Sequence, residues 1–238
     1  MSVTETAHAF FNAPALKFVV VLFLILALAI PLLFVYALFS EREQRAREAT
    51  SSISQSWARA QVLSGPYLVV PVESTREQRS GDTTRTVTMR TLQVIRPERL
   101  DVDARLQTEM RRRGIFEVPV YRSKIDFEGA FAPLDDKATS GSGRFLWNEA
   151  AFVLIVGDVR GIKETTTADL GPRGTRQFRA GSGVGNGAGS NVGAIHVPIS
   201  EAEARAGFSY GFDITLNGSQ SIRFSPAGGD TNVKVSSD

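Results

Sequence analysis

The sequence predicts a mainly β protein carried on an N-terminal transmembrane helix, and three observations predict it. Residues Phe18 to Phe39, FVVVLFLILALAIPLLFVYALF, contain no charged side chain. From Gly65 onward apolar residues recur at every second position, and Gly and Pro punctuate the chain between the runs, the pattern of strands and turns. No cysteine occurs in the 238 residues, so neither disulfides nor thiolate metal ligands hold the fold together.

The 22 positions from Phe18 to Phe39 would reach about 33 Å as a helix, against a hydrocarbon core of about 30 Å. Pro31 is compatible with a span, because a local kink or a neighbouring helix can satisfy the freed carbonyl. The alternatives are a buried core helix and a cleaved signal peptide processed after Ala37, but the apolar region of a signal peptide is usually shorter and follows several basic residues, whereas only Lys17 precedes this one. Residues 1–17 form an N-terminal tail with no folding pattern, and His8 lies within it.

Residues 40–60 read as the anchor helix continuing out of the bilayer. Glu41/Arg45 and Glu43/Arg47 stand four apart in the favourable orientation, and Ala46, Ala49, Ile53, Trp57 and Ala60 make a thin apolar stripe. The stripe suits a spacer docked through Ile53 and Trp57, or a lever between bilayer and domain.

Residues 61–238 then read as one β-rich, antiparallel, sandwich-like domain. Removing Lys17 from the 27 basic residues and Glu5 from the 25 acidic ones leaves 26 against 24 beyond the anchor, so the part of the chain outside the membrane is nearly neutral. The tightest basic cluster is Arg111, Arg112 and Arg113, too small a footprint for nucleic acid.

Taken in order, Tyr67 to Val72, bounded by Pro66 and Pro71, suits a strand near a sheet edge. Ser80-Gly81-Asp82 turns the chain into Thr83 to Ile95 as a hairpin. Leu100, Val102, Ala104, Leu106, Thr108 and Met110 mark the inner face of a long strand, and Asp101, Asp103, Arg105, Gln107 and Glu109 its outer face. Ile115 to Phe131 follows as a strand bent at Pro119, with Tyr121, Ser123, Ile125, Phe127, Gly129 and Phe131 on one face. Leu134 to Arg144 is loop. Ala151 to Val156 is apolar throughout and should lie centrally in its sheet, ended by Gly157-Asp158. Thr165 to Ala180 alternates weakly, and the glycine-rich run from Gly181 to Gly193 is expected to be a mobile loop. Ile195 to Ile199, Phe208 to Leu216, Ser221 to Phe224 and Val233 to Val235 supply the remaining strands, with Asn217-Gly218 as a hairpin turn.

Little in this pattern carries chemistry. His8 and His196 are the only histidines, and no pair at helical spacing offers a zinc site. His196 sits in the strand-like Ile195-His196-Val197-Pro198 without a G-x-S-x-G elbow. Gly183-Val184-Gly185-Asn186-Gly187-Ala188 matches only the loose form of a phosphate loop, and no lysine follows. Asp158 and Arg160 form a charged turn after the most buried strand, either a local ion pair or a place where Arg160 meets a carboxylate or phosphate. Arg111, Arg112 and Arg113 are a solvated strand end or a contact for anionic lipid or glycan. These six residues, with His196 among them, are the candidate partner-binding positions. No catalytic, cofactor or metal residue is assigned, and the expectation is a non-enzymatic protein without a cofactor.

Several stretches together resemble the CreD family of bacterial inner-membrane proteins. They are the single N-terminal span, Gly65-Pro66 followed by Pro71-Val72, Arg113-Gly114-Ile115-Phe116 leading into Val118-Pro119-Val120-Tyr121, Gly157-Asp158-Val159-Arg160-Gly161-Ile162, and Gly193-Ala194-Ile195-His196-Val197-Pro198-Ile199. The resemblance implies a cell-envelope integrity protein of the inner membrane whose β domain lies in the periplasm, in contact with lipid and with envelope proteins, anionic glycans or anionic lipids. It also implies further membrane helices beyond Asp238, so that a truncated or shortened relative is expected. Local charge argues for the opposite topology: Arg42, Arg45 and Arg47 crowd the C-terminal side of the span while Lys17 stands alone before it. The rival readings are an envelope hydrolase using His196 with a carboxylate such as Asp158, and a scaffold for assembling other membrane helices.

Overall fold

The computed structural model describes residues 14–80, 83–134, 143–185, 193–225 and 227–238. It divides into two compact units, the first ending at Ser51 and the second comprising Ser52–Asp238.

The first unit is the greater part of one helix, α1 (Pro14–Trp57), which runs through Pro31 without interruption. Its apolar stretch is uncovered on every side, from Phe18 at 76 % exposure to Phe39 at 68 %. A helix apolar all round and packed against nothing requires lipid rather than water as its solvent. Past Phe39 the composition turns polar, and Arg45 and Arg47 pair with Glu41 and Glu43 at 2.5 and 2.7 Å.

The second unit is a two-layer β structure, mainly β as the sequence predicts. One layer has the order β12-β1-β6-β10-β9, with β2 and β5 also paired to β1, and the other β13-β3-β4-β11-β7-β8. The strands are β1 (Gln61–Ser80), β2 (Thr83–Ile95), β3 (Arg99–Arg113), β4 (Phe116–Phe131), β5 (Arg144–Phe145), β6 (Ala151–Val156), β7 (Thr167–Asp169), β8 (Thr175–Gln177), β9 (Arg179–Ala180), β10 (Ala194–Pro198), β11 (Phe208–Ser219), β12 (Ile222–Ser225) and β13 (Asp230–Ser237). Between β10 and β11 a short helix, α2 (Glu201–Ala206), begins with a capping box built by Ser200 and Glu203.

The core lies between the layers. Leu63, Leu68 and Val70 of β1, Phe152 and Leu154 of β6 and Val197 of β10 meet Leu100 and Val102 of β3, Ile125 and Phe127 of β4, and Tyr210, Phe212 and Ile214 of β11. Phe127 stacks on Phe212 with centroids 4.7 Å apart, and Phe152 meets Phe212 edge-on at 5.9 Å.

Several local expectations need correction. β1 is no edge strand, since it pairs with β2, β6 and β12. Pro66 is tolerated because the register with β6 shifts between Ser64 and Tyr67, where it falls. Thr108 and Met110 continue the period of β3 but are exposed, because the opposing layer ends before them. Asn217-Gly218 is not a turn. β11 runs straight through it, Asn217 opposite Arg122 and Gly218 opposite Tyr121, and the chain reverses later, around Gln220 at φ 65°. Glycine stands at 218 because the Tyr121 ring lies where any Cβ would go. Two pairings are parallel, β12 with the start of β1 and β13 with β3. In the glycine-rich run, Val184 is only 3 % exposed and packs with Val69, Ala151, Val153 and Ala194, so this part of the run is seated on the sheet. Residues 186–192 lie outside the described residues, as do most of the expected loop at 134–144 and Gly81-Asp82.

Candidate functional site

The densest polar construction in the second unit surrounds the place where α1 ends. The helix stops at Trp57, three residues short of the sequence reading, and Ala58 takes φ 131°, a conformation that side chains other than glycine rarely adopt. The Ala58 N–H still donates to the Ser54 carbonyl at 3.1 Å, while its own carbonyl accepts from the Ser219 hydroxyl at 2.8 Å. With the Ser219 proton so engaged, the Ser54 hydroxyl donates to Ser219 Oγ, also at 2.8 Å. Trp57 closes the other side, donating its indole N–H to the Tyr121 carbonyl at 3.2 Å.

Gln61 and Asp158 tie this end to the seven-stranded layer. The Gln61 side chain is fully buried, and its amide donates to the carbonyls of Asp158 (3.1 Å) and Asn217 (3.0 Å) while accepting from the Asp158 N–H (3.0 Å). Three of its four hydrogen-bonding positions are filled, which is what allows so polar a group to lie at zero exposure. Asn217 is buried beside it, and its side-chain oxygen has no hydrogen-bond partner among the described residues.

The Asp158 carboxylate caps the 3-10 turn Val159–Gly161 by accepting from the Arg160 N–H at 3.2 Å, and it accepts from the Arg59 N–H, also at 3.2 Å. Arg160 completes a fork, with Nε at 2.9 Å and Nη2 at 2.6 Å. The guanidinium fork, with the two backbone donors, holds the Asp158 carboxyl down at about 2 against the opposing effect of burial. The carboxylate is buried and the arginine side chain is 54 % exposed, so Arg160 presents its outer edge to solvent.

The other sequence candidates lie apart from this turn. His196, on β10 opposite Val153, directs Nδ1 to the Gly181 carbonyl at 2.8 Å. A carbonyl only accepts, so Nδ1 carries a proton. Both Asp158 oxygens are engaged by Arg59 and Arg160, so the structure does not join Asp158 to His196. Arg111 lies over the Trp57 ring at 4.9 Å and pairs with Glu109 at 2.5 Å. Arg112 pairs with Glu117, Nε to carboxylate at 2.6 Å.

A charged face that sequence reading left incomplete covers the outside of the six-stranded layer. Asp101 stands opposite Glu128, and Asp103, Asp126 and Asp213 form one row across three strands. Arg105 relieves the repulsion by pairing with Asp126 at 2.6 Å, and a shallow groove of about 350 Å³ runs between these groups and Lys234. Asp101 and Asp103 were visible as an outer face, but the register that sets β4 carboxylates beside them was not. Among the described residues no three histidine or carboxylate side chains converge as a metal site.

Comparison with known proteins fits this architecture of an apolar helix followed by a β unit. The family model described as Inner membrane protein CreD matches residues 13–238. Inner membrane protein CreD of Escherichia coli (strain K12) is 23 % identical over 215 residues, covering 90 % of this chain and 46 % of that relative. The chain thus spans less than half the length of the curated relative. No solved structure matches. With nearly its whole length matched and a helix suited to lipid at residues 18–39, the chain belongs to the CreD family of inner membrane proteins.

Proposed function

We propose that the chain is a membrane-anchored binding module of the cell envelope, with its β unit in the periplasm, contributing to envelope integrity without catalysing a reaction. The observation that carries this reading is the occupation of the polar groups. Asp158, Gln61, Ser54 and Ser219 are bound to one another and to backbone around the end of α1, and His196 faces a backbone carbonyl. A general base needs an orienting partner and an open approach to a nucleophile. Here Asp158, the carboxylate that the hydrolase reading would use, is already paired with Arg160. The exposed edge of Arg160 and the charged outer face of the six-stranded layer remain as surfaces that recognise a partner.

Protease accessibility in intact spheroplasts, with the anchor confirmed by mass, tests the placement. Cleavage of the β unit in intact spheroplasts supports the periplasmic reading, and protection until lysis overturns it. His196→Ala tests the absence of catalysis in cells challenged with detergent or envelope-active agents. Unchanged resistance at unchanged protein level is expected, and a loss equal to deletion of the chain would favour the hydrolase.

A further inference from the structure

Among the described residues β2 pairs with β1 alone, residue for residue from Ile95 opposite Leu68 to Thr83 opposite Ser80, without a register shift. On the other side of β1, β6 reaches Val69 and β5 reaches Val72 and Glu73. The seven pairs from Ser74 opposite Met89 to Ser80 opposite Thr83 therefore form a two-stranded ribbon that no other described strand flanks. It is about 24 Å long, and such a ribbon is marginal in water by itself. Natural edges are blunted by proline, lysine or a bulge, and Thr83–Ile95 has none of these. Thr86, Val87, Thr88, Met89 and Arg90 are all exposed. Val87, at 38 %, and Met89, at 49 %, lie on the face that Leu68, Val70 and Ile95 turn to the core, so the apolar alternation runs on past the core it serves. The free edge offers backbone donors and acceptors and its side chains offer apolar surface, which together are what an added strand uses.

We propose that the occupant of this edge is β2 of a second copy of the chain, paired antiparallel about a two-fold axis at Thr88. The side-chain pattern selects both partner and register. A two-fold axis sets residues equally distant from it opposite one another and keeps each on its own face of the sheet. Val87 then meets Met89 of the second copy, and Met89 meets Val87, so the exposed apolar side chains of both copies join in one cluster. On the other face Thr86 meets Arg90 of the second copy. Because Glu77 stands opposite Thr86 and Glu73 opposite Arg90 within each chain, the row across four strands reads Glu77, Thr86, Arg90, Glu73, an arginine flanked by carboxylates. Glu77 is exposed and makes no ion pair among the described residues, so the second copy supplies the charge it lacks. An axis at Arg90 would set two guanidinium groups together, and one at Met89 would set Val87 against Thr91. With the axis at Thr88 the edges overlap from Thr83 to Gln93 and exchange about ten backbone hydrogen bonds.

The test uses the full chain reconstituted in liposomes. Thr88→Cys introduces the only thiol, and at the axis the two Cα atoms stand about 4.5–5.5 Å apart, within disulfide reach. Mild oxidation should give several-fold more disulfide dimer than with Val94→Cys, which is 48 % exposed in the single copy but lies away from the axis. Val87→Cys mixed with Met89→Cys should cross-link more than either variant alone. Adding Met89→Lys to Thr88→Cys should lower its dimer to the Val94→Cys level with circular dichroism unchanged, since residue 89 is exposed in the single copy. A Thr88→Cys yield no higher than that of Val94→Cys, or one insensitive to Met89→Lys, overturns the proposal and leaves β2 to a strand of another protein. A yield from Met89→Cys alone above that of the mixture overturns the register.

Discussion

Ser54, in the last turn of α1, and Ser219, at the end of β11, are hydrogen-bonded at 2.8 Å across 165 residues of chain. The same Ser219 hydroxyl donates to the Ala58 carbonyl, so one side chain satisfies two groups at the end of the helix. Both serines are buried, and losing one leaves its partners dry and unpaired. Ser219→Ala should cost about 2 kcal/mol and expose residues 52–60 to protease before the β strands are cut. Denaturant midpoints and the mass of the first proteolytic fragments check both.

Ala58 holds φ 131° while only 2 % exposed. Left-handed backbone at a residue with a Cβ costs roughly 1–3 kcal/mol, whereas the extra freedom of glycine when unfolded costs about 0.5–1. Ala58→Gly should therefore stabilise the β unit by about 1 kcal/mol, seen as a rise in denaturant midpoint with unchanged slope. A fall would mean that the Ala58 methyl contributes more by packing than its backbone loses by strain.

Two buried tyrosines make a matched comparison. The Tyr121 hydroxyl donates to the Ser221 carbonyl at 2.8 Å, whereas the Tyr210 hydroxyl has no hydrogen-bond partner among the described residues. Burial pushes the Tyr121 phenol up to about 12, only partly offset by its backbone neighbour at Gln61, and it raises Tyr210 as well. Tyr121→Phe should cost about 1 kcal/mol, and Tyr210→Phe should be neutral or stabilising by a similar amount. Thermal melts of the two variants side by side distinguish them.

Acid should loosen the protein through two carboxyls. Asp158 is held at about 2 by Arg160 against burial. Glu203 also lies at about 2: burial opposes ionisation there, and the bonds from Arg176 and Ser200 outweigh it. Both groups bind protons less readily folded than unfolded, so their contribution is complete above about pH 4.5 and drains away as pH falls toward 2. Each therefore stabilises the folded chain at neutral pH. Stability measured from pH 6 to 2 should fall less steeply in Asp158→Asn and in Glu203→Gln than in the parent chain.

Sequence pattern reached as far as local physics reaches. Leu100, Val102, Ala104 and Leu106 announced the buried face of β3, and the unbroken run Ala151–Val156 announced a central strand, because side-chain alternation and apolar run length are properties of a few adjacent residues. Asn217-Gly218 misled because the dipeptide marks a turn only when nothing else claims it, and the Tyr121 ring and the β4 register claim it here. Pro66 and Pro71 suggested an edge for want of knowing that a register shift would absorb Pro66. At the junction, the Asp158–Arg160 pair was readable at a separation of two residues. The bonds of Gln61 to Asp158 and of Ser219 to Ser54 were not, since they join positions 97 and 165 residues apart. Glutamine, asparagine and serine at those positions look like ordinary surface residues until the fold encloses them.

The two parallel pairings also govern when the unit can form. The first residues of β1 complete their hydrogen bonds only with Ile222–Ser225, and Arg99–Leu106 of β3 only with Asp230–Ser237. Such distant closures raise the mean sequence separation of contacts and slow folding. A chain made from its N-terminus has its anchor helix ready for the bilayer long before β12 and β13 emerge. Until they do, β1 and β3 each offer an unpaired edge, the kind of surface through which chains aggregate.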